Sequence, residues 1–350
     1  MVHTGMDSNV IETEFHRIEA EGAPYLIAEI GLNHNGEADL ARRTIEASAR
    51  SGASAVKFQL YRSDHFIDGA SVLGEGGPGS LRDFFRTFEL SQDVWRELAA
   101  LARGLNVDFF CSVFDRPSFE FYRTLEPRLV KIASCDITNR PLLEAVRESG
   151  LPVLLSTGTA DEDEIGRAIG WLQGVPLVLL QCVSAYPARP EDYNLAVLDG
   201  WRRRYGVPVG ISDHCEDNGV SLASVALGGC AIERHFTLDR TLPGPDHALS
   251  LEPDDFARLA REARAVHAAR GGADERRPVE AEAGARKFGR RALYLAREAR
   301  GGAVVAAEDL IALRPGDGIG AEVLAEILGR AWTRDVQPGE RLTSEMMEER

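Results

Sequence analysis

Two lysines and a series of serines fall within or just past short apolar runs, where they could bind a small anion. Lys57 and Gln59 share one face of such a run, because strand side chains alternate with a period of two. Lys131 lies in a second run of the same kind. The serines that end these or further runs are Ser112, Ser134, Ser156 and Ser184. Ammonium, hydroxyl and loop N–H groups together suit a polyanion that carries phosphate and carboxylate.

Two histidines near the ends of the last two runs could hold a divalent metal ion. His214 follows one run and His235 lies within the next. Two imidazoles would leave most of the ion's coordination shell open to water and substrate, as a Lewis-acid site requires. The spacing alone is equally compatible with two unrelated histidines. The convergence of so many polar groups on strand ends favours a ligand site, since burying them without a ligand would be costly.

These candidate residues require a scaffold that brings many strand ends together. Apolar runs alternate with amphipathic stretches, which is typical of repeated βα units around a parallel sheet. The runs are Tyr25–Ile30, Ala55–Leu60, Val107–Cys111, Leu129–Ala133, Val153–Leu155, Leu177–Cys182, Val207–Ile211 and Ala231–Phe236. The helical stretches include Ala38–Arg50, Pro141–Glu148, Glu162–Leu172 and Pro253–Ala268. We predict an α/β fold, a closed (β/α)8 TIM barrel of about 250 residues, rather than an open doubly wound sheet.

The composition divides the chain into four segments. They are a polar lead-in at 1–24, the catalytic barrel at 25–270, a linker at 271–286 and a smaller domain at 287–350. The linker is assigned because it is rich in Gly, Ala, Glu and Arg and has no apolar period. In the smaller domain we predict one short helix at Ala321–Leu328, closed by Gly329. This domain is too short for a catalytic core and is expected to be a lid or an interaction module.

The bulk composition disfavours several classes of function. A formal net charge of -15 disfavours a nucleic-acid partner, whose phosphates need a basic face. Five cysteines without a C-x-x-C pair fit a reducing compartment. Charges run through the N-terminal segment, so no signal peptide is expected, and the apolar runs are too short to span a bilayer. We therefore expect a cytoplasmic protein that has no membrane partner.

Several segments together resemble the sialic acid synthase family. They are Ala28-Glu29-Ile30-Gly31, Asn33-His34-Asn35-Gly36, Val56-Lys57-Phe58-Gln59, Lys131-Ile132-Ala133-Ser134, Ile137-Thr138-Asn139, Leu155-Ser156-Thr157-Gly158, Ser212-Asp213-His214, Ile232-Glu233-Arg234-His235-Phe236-Thr237, Pro243-Gly244-Pro245-Asp246-His247 and Arg314-Pro315-Gly316-Asp317-Gly318. The resemblance covers about residues 25–345, in order. It implies a (β/α)8 barrel followed by a small antifreeze-like domain, also called a SAF domain.

The resemblance also implies an activity. Members of the family condense phosphoenolpyruvate with an N-acylated amino-hexose, such as N-acetylmannosamine or a bacterial 6-deoxy diamino relative, to give a nonulosonic acid and phosphate. They use Mn2+ or Mg2+ and form domain-swapped homodimers. We therefore expect phosphoenolpyruvate and an amino-sugar acceptor as substrates, a divalent metal as cofactor and a second copy of this chain as partner.

Residue by residue, the resemblance assigns roles to positions of this sequence. His214 and His235 match the metal ligands. Positions that match the phosphoenolpyruvate site are Lys57, Ser112, Lys131, Ser134, Ser156 and Ser184. Candidate catalytic residues are Glu29, Gln59 and Asp136, and candidate contacts to the sugar are Tyr186, Asp246 and Arg314. Arg314 matches an arginine that reaches from one subunit's small domain into the other subunit's barrel.

The sequence also departs from the family pattern. Ser134-Cys135-Asp136 stands where Ser-Gly-Glu is usual, so the carboxylate is one methylene shorter, and Val113 interrupts the usual Ser-Thr-Pro-Phe-Asp. The stretch after His214 and the glycine-rich loop Gly69–Ser80 differ as well. These changes leave the reaction class in place and the identity of the acceptor open. The alternatives are a metal-dependent pyruvate aldolase, a synthase for another aldehyde, and a binding protein that kept the barrel.

Overall fold

The computed structural model describes residues 10–20, 22–72, 79–272 and 275–348. The chain forms two compact units, Met1–Gly271 and Gly272–Arg350. Part of the glycine-rich loop noted above, residues 73–78, lies outside the described residues. Within the described part of the chain, no helix has the length and apolar character needed to cross a membrane.

A short antiparallel hairpin, β1 (Val10–Glu12) and β2 (Arg17–Glu19), precedes the barrel. The hairpin lies within the segment 1–24 that the sequence analysis describes as a polar lead-in. Ile11 and Ile18 pair across the hairpin and are buried in the core of the first unit. An isolated hairpin is marginally stable at best, so this one depends on that burial. Strands of three residues are too short for their alternation to stand out in the sequence.

Eight parallel strands close into a barrel, which confirms the (β/α)8 fold and excludes the open sheet. The strands are β3 Tyr25–Gly31, β4 Ala55–Leu60, β5 Asp108–Val113, β6 Val130–Ile132, β7 Val153–Ser156, β8 Leu177–Cys182, β9 Val209–Asp213 and β10 Ala231–His235. β10 pairs with β3 and completes the cylinder. Each predicted strand is present, and its ends lie within two residues of the prediction.

Helices connect and cover these strands. They are α1 Ala38–Arg50, α2 Ser63–Phe66, α3 Leu81–Arg86, α4 Gln92–Gly104, α5 Arg116–Arg123, α6 Arg140–Ser149, α7 Glu162–Trp171, α8 Val197–Tyr205, α9 Gly219–Ala226 and α10 Pro253–Arg270. Single 3-10 turns occur at Ser134–Asp136, Pro190–Asp192 and His247–Leu249. Local sequence explains their ends: Asp161 and Glu164 form a capping box at the start of α7, and Gly150 ends α6 with a left-handed backbone.

The parallel register brings candidate site residues side by side. Lys57 on β4 lies opposite Glu29 on β3. Ser112 on β5 lies opposite both Gln59 and Lys131 on its two neighbouring strands. Because residues in register share a face of the sheet, these polar side chains point into the barrel together.

The second unit contains the antiparallel strands β11 (Ala292–Leu295) and β12 (Leu310–Leu313). Its helices are α11 Ala283–Gly289 and α12 Leu324–Ile327, with 3-10 turns at Glu280–Glu282, Ala307–Asp309, Ala321–Val323 and Ser344–Met346. Its own apolar core includes Leu293, Leu295, Trp332, Val336 and Leu342. The predicted linker 271–286 is partly helical, because the run that begins at Ala283 is rich in good helix formers. The predicted helix Ala321–Leu328 is split into a 3-10 turn and one α-turn.

Candidate active site

A cavity of about 360 Å³ is lined by residues at the C-terminal ends of the barrel strands. In (β/α)8 enzymes the active site lies at this end. The predicted site residues that line the cavity are Glu29, Lys57, Gln59, Ser112, Lys131, Ser134, Ser156, Ser184, Tyr186, His214 and His235. Side chains separated by up to about two hundred positions in the sequence therefore meet in one place.

Three predicted residues do not line this cavity. Asp136 is buried beside it, where its carboxylate accepts a hydrogen bond from Asn139 Nδ2 at 2.8 Å. Burial raises the pKa of Asp136, although Asn139 opposes the change. Asp246 lies at the edge of the site, with Oδ2 3.8 Å from Nδ1 of His235. Arg314 belongs to the second unit.

The two lysines are buried and are balanced by two carboxylates. Lys57 Nζ lies 3.2 Å from Glu29 Oε1 and 3.2 Å from Glu233 Oε1, and it donates to Ser112 Oγ at 3.1 Å. Lys131 Nζ lies 3.7 Å from the same oxygen of Glu233. All four charged groups are at most 5% exposed. Buried charges without such partners would be strongly destabilising, so the cluster is stable only as a set.

Glu233 is a charged residue of the site that the sequence analysis missed. Its carboxylate also accepts a hydrogen bond from Ser212 Oγ at 3.0 Å. Burial raises its pKa, but Lys131 and Lys57 outweigh burial and hold the pKa of Glu233 at about 2. The sequence did contain a signal for this residue. Strand alternation puts Glu233 on the same face as His235, and Arg234 on the opposite face.

Burial and neighbouring charges shift the pKa values of the remaining charged groups in different directions. Burial raises the pKa of Glu29, since the effect of Lys57 only partly offsets it. Gln59 Nε2 donates to Glu29 Oε1 at 3.3 Å. Burial lowers the pKa of Lys131. Burial acts in the same direction on Lys57, but the nearby Glu233 and Glu29 outweigh it and raise the pKa of Lys57. Glu29 and Lys131 are therefore the groups of the cluster whose charge is easiest to change.

Several buried polar atoms of the site have no hydrogen-bond partner among the described residues. They are Glu29 Oε2, Glu233 Oε2, Ser156 Oγ and His235 Nδ1. A buried polar atom left unpaired costs about 1–3 kcal/mol. Their concentration in one cavity indicates a site built to receive a polar ligand.

His214 and His235 face each other with ring centroids 5.5 Å apart. Nδ1 of His214 lies 2.7 Å from the carbonyl oxygen of Val183, so it carries the proton in the neutral ring and leaves Nε2 free. Burial and the neighbouring His235 lower the pKa of His214 to about 4, which keeps the ring neutral at physiological pH. The Tyr186 ring lies 4.3 Å from that of His214. No group of three or more His, Cys, Asp or Glu side chains suited to a metal occurs in the described ranges.

A glycine makes room for part of this site. Gly158 N donates to Ser134 Oγ at 3.0 Å. A Cβ atom at position 158 would clash with the hydroxyl oxygens of Ser184 and Ser134. The backbone therefore approaches Ser134 and Ser184 closely, and a side chain at position 158 would displace their hydroxyl groups.

A closed barrel with buried lysines, carboxylates and paired imidazoles at its C-terminal end defines a (β/α)8-barrel enzyme. Comparison with known proteins gives the family. The model of the NeuB family matches residues 44–275, and the chain belongs to that family. This confirms the resemblance drawn from the sequence motifs.

Named relatives of this family are synthases of nonulosonic acids. The chain is 35% identical over 337 residues to N,N'-diacetyllegionaminic acid synthase of Legionella pneumophila, covering 93% of this chain and 94% of that protein. It is 35% identical over 257 residues to human N-acetylneuraminate-9-phosphate synthase, covering 71% of each. A crystal structure of N-acetylneuraminic acid synthetase from Leptospira borgpetersenii, in complex with citrate, has a TM-score of 0.71 and 35% identity, covering 78% of this chain and 93% of that one. The chain is thus a synthase of this kind.

Proposed function

We propose that the enzyme joins phosphoenolpyruvate to the open-chain aldehyde of an N-acylated amino-hexose and releases phosphate and a nonulosonic acid. The observation that carries the proposal is that one barrel cavity contains both two buried lysines and two neighbouring imidazoles. The lysines suit a small polyanion, and the imidazoles suit a metal that activates a carbonyl. The named relatives act in the synthesis of acids of this class.

Phosphoenolpyruvate is proposed to bind over Lys57 and Lys131. Their ammonium groups offset the phosphate and carboxylate charges, and hydroxyl groups complete the site: Ser112, Ser134, Ser156 and Ser184. The unpaired Ser156 Oγ and the close approach of Ser134 and Ser184 to Gly158 support this assignment. When phosphoenolpyruvate binds as a trianion, it weakens the ion pairs of the two lysines with Glu29 and Glu233. The two carboxylates are then free to interact with C2 of the substrate.

The donor set fits a divalent metal, Mn2+ or Mg2+, held by His214 and His235. Nε2 of His214 is free because Nδ1 is occupied by the carbonyl of Val183, and Nδ1 of His235 lacks a hydrogen-bond partner among the described residues. Bound there, the metal would supply a Lewis acid that polarises the aldehyde oxygen of the acceptor.

The chain's own residues then guide the reaction. C3 of phosphoenolpyruvate attacks the aldehyde carbon, and positive charge develops at C2 of the enol phosphate. Glu29, whose Oε2 is unpaired, stabilises this charge and accepts a proton from the water that adds to C2. The tetrahedral intermediate breaks its C2–O bond to phosphate, and the remaining hydroxyl gives up its proton to become the keto group. The former aldehyde oxygen, which received the electron pair of its C=O bond when C3 attacked, takes up a proton and becomes a hydroxyl. Gln59 orients Glu29 through its amide N–H.

The acceptor is proposed to contact Tyr186 and Asp246 at the edge of the cavity. Asp136 is proposed to replace the longer carboxylate of the family pattern through a water molecule, since its side chain is tied to Asn139. The second unit is proposed to be a SAF domain that supplies Arg314 to the partner's barrel in a domain-swapped homodimer. The enzyme is proposed to work in the cytoplasm.

The test is release of inorganic phosphate from phosphoenolpyruvate in the presence of Mn2+ across a panel of N-acyl hexoses. We expect release that requires metal, phosphoenolpyruvate and acceptor together, with a nine-carbon keto acid as product. An excess of chelator should abolish the release. Carbon–carbon bond formation from pyruvate without phosphate release would instead establish the aldolase alternative and contradict the proposal.

A further inference from the structure

Two loops at the mouth of the barrel are joined by hydrogen bonds that the proposed reaction does not use. The first loop follows β3 and contains Asn33 and Asn35, and the second follows β10 and contains Asp246 and His247. Because β3 and β10 pair in the closed barrel, the two loops leave it side by side. Asp246 is the candidate contact to the sugar. The other three have no assigned role, and we call Asn33, Asn35 and His247 the bridging residues.

The side-chain amide of Asn35 bonds to the second loop at two points. Its Nδ2 donates to the carbonyl oxygen of Pro243 at 2.8 Å, and its Oδ1 lies 3.3 Å from Nε2 of His247. The second loop passes so close that a Cβ atom at Gly244 would lie 2.8 Å from Asn35 Oδ1 and 2.7 Å from Cδ2 of His247. Glycine at position 244 therefore allows the two loops to pack directly on each other.

His247 is a buried, neutral bridge between these groups. Its side chain is 1% exposed, and burial lowers its pKa, although Asp246 and Asp239 oppose the change. Because Nδ2 of Asn35 faces a carbonyl, its Oδ1 is the acceptor for Nε2–H of the histidine. The other ring nitrogen, Nδ1, then accepts from Thr237 Oγ1 at 2.7 Å. Both nitrogens have a partner, so the ring is fixed, and the residue directly before it is fixed with it.

Asn33 holds the main chain of the same loop from the other side. It is 1% exposed, and its Nδ2 donates to the carbonyl of Phe236 at 2.9 Å and to Ser250 Oγ at 2.8 Å. The hydroxyl of Ser250 in turn donates to the carbonyl oxygen of Asp246 at 2.6 Å. The backbone of Asp246 is thus linked through one hydroxyl to the loop that follows β3, in addition to the link through His247.

The second loop has little packing of its own that could fix the carboxylate of Asp246. Pro243, Gly244 and Pro245, which precede it, are all exposed. The Asp246 side chain is 18% exposed and has Oδ2 3.8 Å from Nδ1 of His235. A displacement of about 1 Å in a group that orients a substrate can cost as much as a hundredfold in rate. The hydrogen bonds from the first loop supply the constraint that the exposed residues do not.

We infer that Asn33, Asn35 and His247 are positioning residues, which fix the Asp246 carboxylate for binding of the acceptor sugar. None of the three lines the cavity, so they act through Asp246 and not by touching a substrate. The inference rests on the proposed function, because the contact between Asp246 and the sugar belongs to that proposal. It adds residues outside the cavity that determine how well the acceptor binds and leave phosphoenolpyruvate binding unaffected.

Two variants of the full chain test the inference in the Mn2+-dependent phosphate-release assay, with the most active N-acyl hexose of the panel as acceptor. Asn35→Gly removes the side chain and keeps a backbone that tolerates the φ of +50° at this position. His247→Phe keeps a ring of similar size and loses both hydrogen bonds. Asn35→Gly should raise KM for the acceptor by about 3- to 10-fold, in the range of one neutral hydrogen bond, and His247→Phe by at least as much. KM for phosphoenolpyruvate should not change.

One conservative variant and one matched control accompany them. His247→Gln places an amide N–H where it can donate to Asn35, so it should recover part of the loss seen in His247→Phe. Asn106→Gly is the control, since Asn106 also has a positive φ, of +56°, and lies before β5 at the opposite end of the barrel. Its two KM values should equal those of the wild type, with melting temperatures recorded for all variants.

A double-variant cycle separates positioning from a general structural role. In the Asp246→Ala background the carboxylate is absent, so adding Asn35→Gly should raise KM for the acceptor no further. A side chain that only stabilised the fold would cause the same loss in both backgrounds. If Asp246→Ala is too slow for kinetics, the difference between the two KM values in the single variants decides.

The outcomes distinguish failure of the inference from failure of the function beneath it. An unchanged KM for the acceptor in a folded Asn35→Gly variant, equal rises in both KM values, or an undiminished loss in the Asp246→Ala background would overturn the inference and leave the proposed function intact. If the wild type releases phosphate with no acceptor of the panel, both fall.

Discussion

Arg234 and Asp213 form a buried ion pair, with Nη1 2.9 Å from Oδ2, directly behind the two facing imidazoles. Each partner precedes one of the imidazoles in the sequence, His214 or His235, and alternation directs the pair away from the cavity. Arg234 also donates to the carbonyl oxygen of Cys215 at 2.6 Å. The pair thus fixes β10 against β9 and against the loop that follows His214.

We predict that breaking this pair weakens metal binding although neither side chain reaches the cavity. Arg234→Met leaves Asp213 buried and unpaired, and the double variant Arg234→Met with Asp213→Leu removes that penalty without restoring the tie between the strands. Both should bind Mn2+ more weakly than the wild type, with about 10- to 100-fold, the loss known for groups bonded directly to a metal ligand, as the upper range. Calorimetric titration with Mn2+ measures this directly, and His214→Ala defines the affinity of a broken site. Wild-type affinity in the folded double variant would contradict a positioning role.

Lys57 and Lys131 are expected to act mainly on phosphoenolpyruvate. A hydrogen bond to a charged group is worth about 1.5–3 kcal/mol, so Lys57→Ala and Lys131→Ala should each raise KM for phosphoenolpyruvate by roughly 10- to 150-fold. The chain has one other lysine, Lys287, which lies in the second unit, so Lys287→Ala is a matched control. Steady-state kinetics at saturating acceptor is the measurement. Unchanged saturation by phosphoenolpyruvate in both cavity variants would show that the phosphate site is elsewhere.

Glu233→Gln is expected to shift the pH dependence of phosphoenolpyruvate binding. Burial lowers the pKa of Lys131, and Glu233 opposes that change. Without the carboxylate the pKa of Lys131 falls further, so the ammonium group loses its proton at a lower pH. The alkaline limb of the plot of KM against pH should therefore move to lower pH. Ser212→Ala removes a hydrogen bond to Glu233 but keeps the charge, so its profile should stay close to that of the wild type.

Asp108 is expected to make stability depend on pH. Its carboxylate accepts a hydrogen bond from Thr13 Oγ1 at 2.6 Å, which ties the N-terminal hairpin to β5, and another from Tyr25 OH of β3 at 2.9 Å. Burial raises the pKa of Asp108, but hydrogen bonds from His16, Thr13 and Tyr25 outweigh burial and lower it. Because the folded pKa is the lower one, the stabilisation is present above about pH 4, the unfolded value, and is lost as the pH falls through the folded value.

The measurement is urea unfolding of the wild type and of Asp108→Asn at two pH values. At pH 7 the variant should be less stable by about 1.5–3 kcal/mol, the worth of hydrogen bonds to a charged group. At pH 3 the difference in the free energy of unfolding between the wild type and the variant should be smaller. Glu97→Gln is the control, since Glu97 makes an exposed ion pair with Arg42. A difference that does not depend on pH would show that the carboxylate charge is not the cause.

The barrel could be predicted because short apolar runs alternate with amphipathic stretches along the chain, and this local pattern is visible in a single sequence. The N-terminal hairpin was missed because its strands are three residues long and its stability comes from Ile11 and Ile18 packing on the barrel. Packing of that kind has no local signature.

Lysine and histidine residues of the site could be predicted from their positions in or just after the apolar runs, but the buried carboxylate of Glu233 was missed. Lys57 stands alone between apolar neighbours, whereas Glu233 lies in Glu-Arg-His, where its face depends on the strand register. The three phenylalanines that also line the cavity, Phe66, Phe85 and Phe114, could not be foreseen from spacing, because they come from separate elements. Their common position depends on the order of the strands around the barrel.

The last prediction concerns Arg314 in the second unit. If the partner's Arg314 completes each site, then Arg314→Ala and His235→Ala should each be inactive alone, because every site in either homodimer lacks one group. Mixing the two subunits gives a heterodimer in which one site combines an intact barrel with an intact arginine. Phosphate release should then recover to about a quarter of the wild-type rate if subunits exchange at random. Arg290→Ala, a neighbouring arginine of the second unit, is the control for loss of charge alone. A heterodimer shown to form by mass spectrometry but to remain inactive would contradict the swapped arrangement, and a fully active monomer would exclude it.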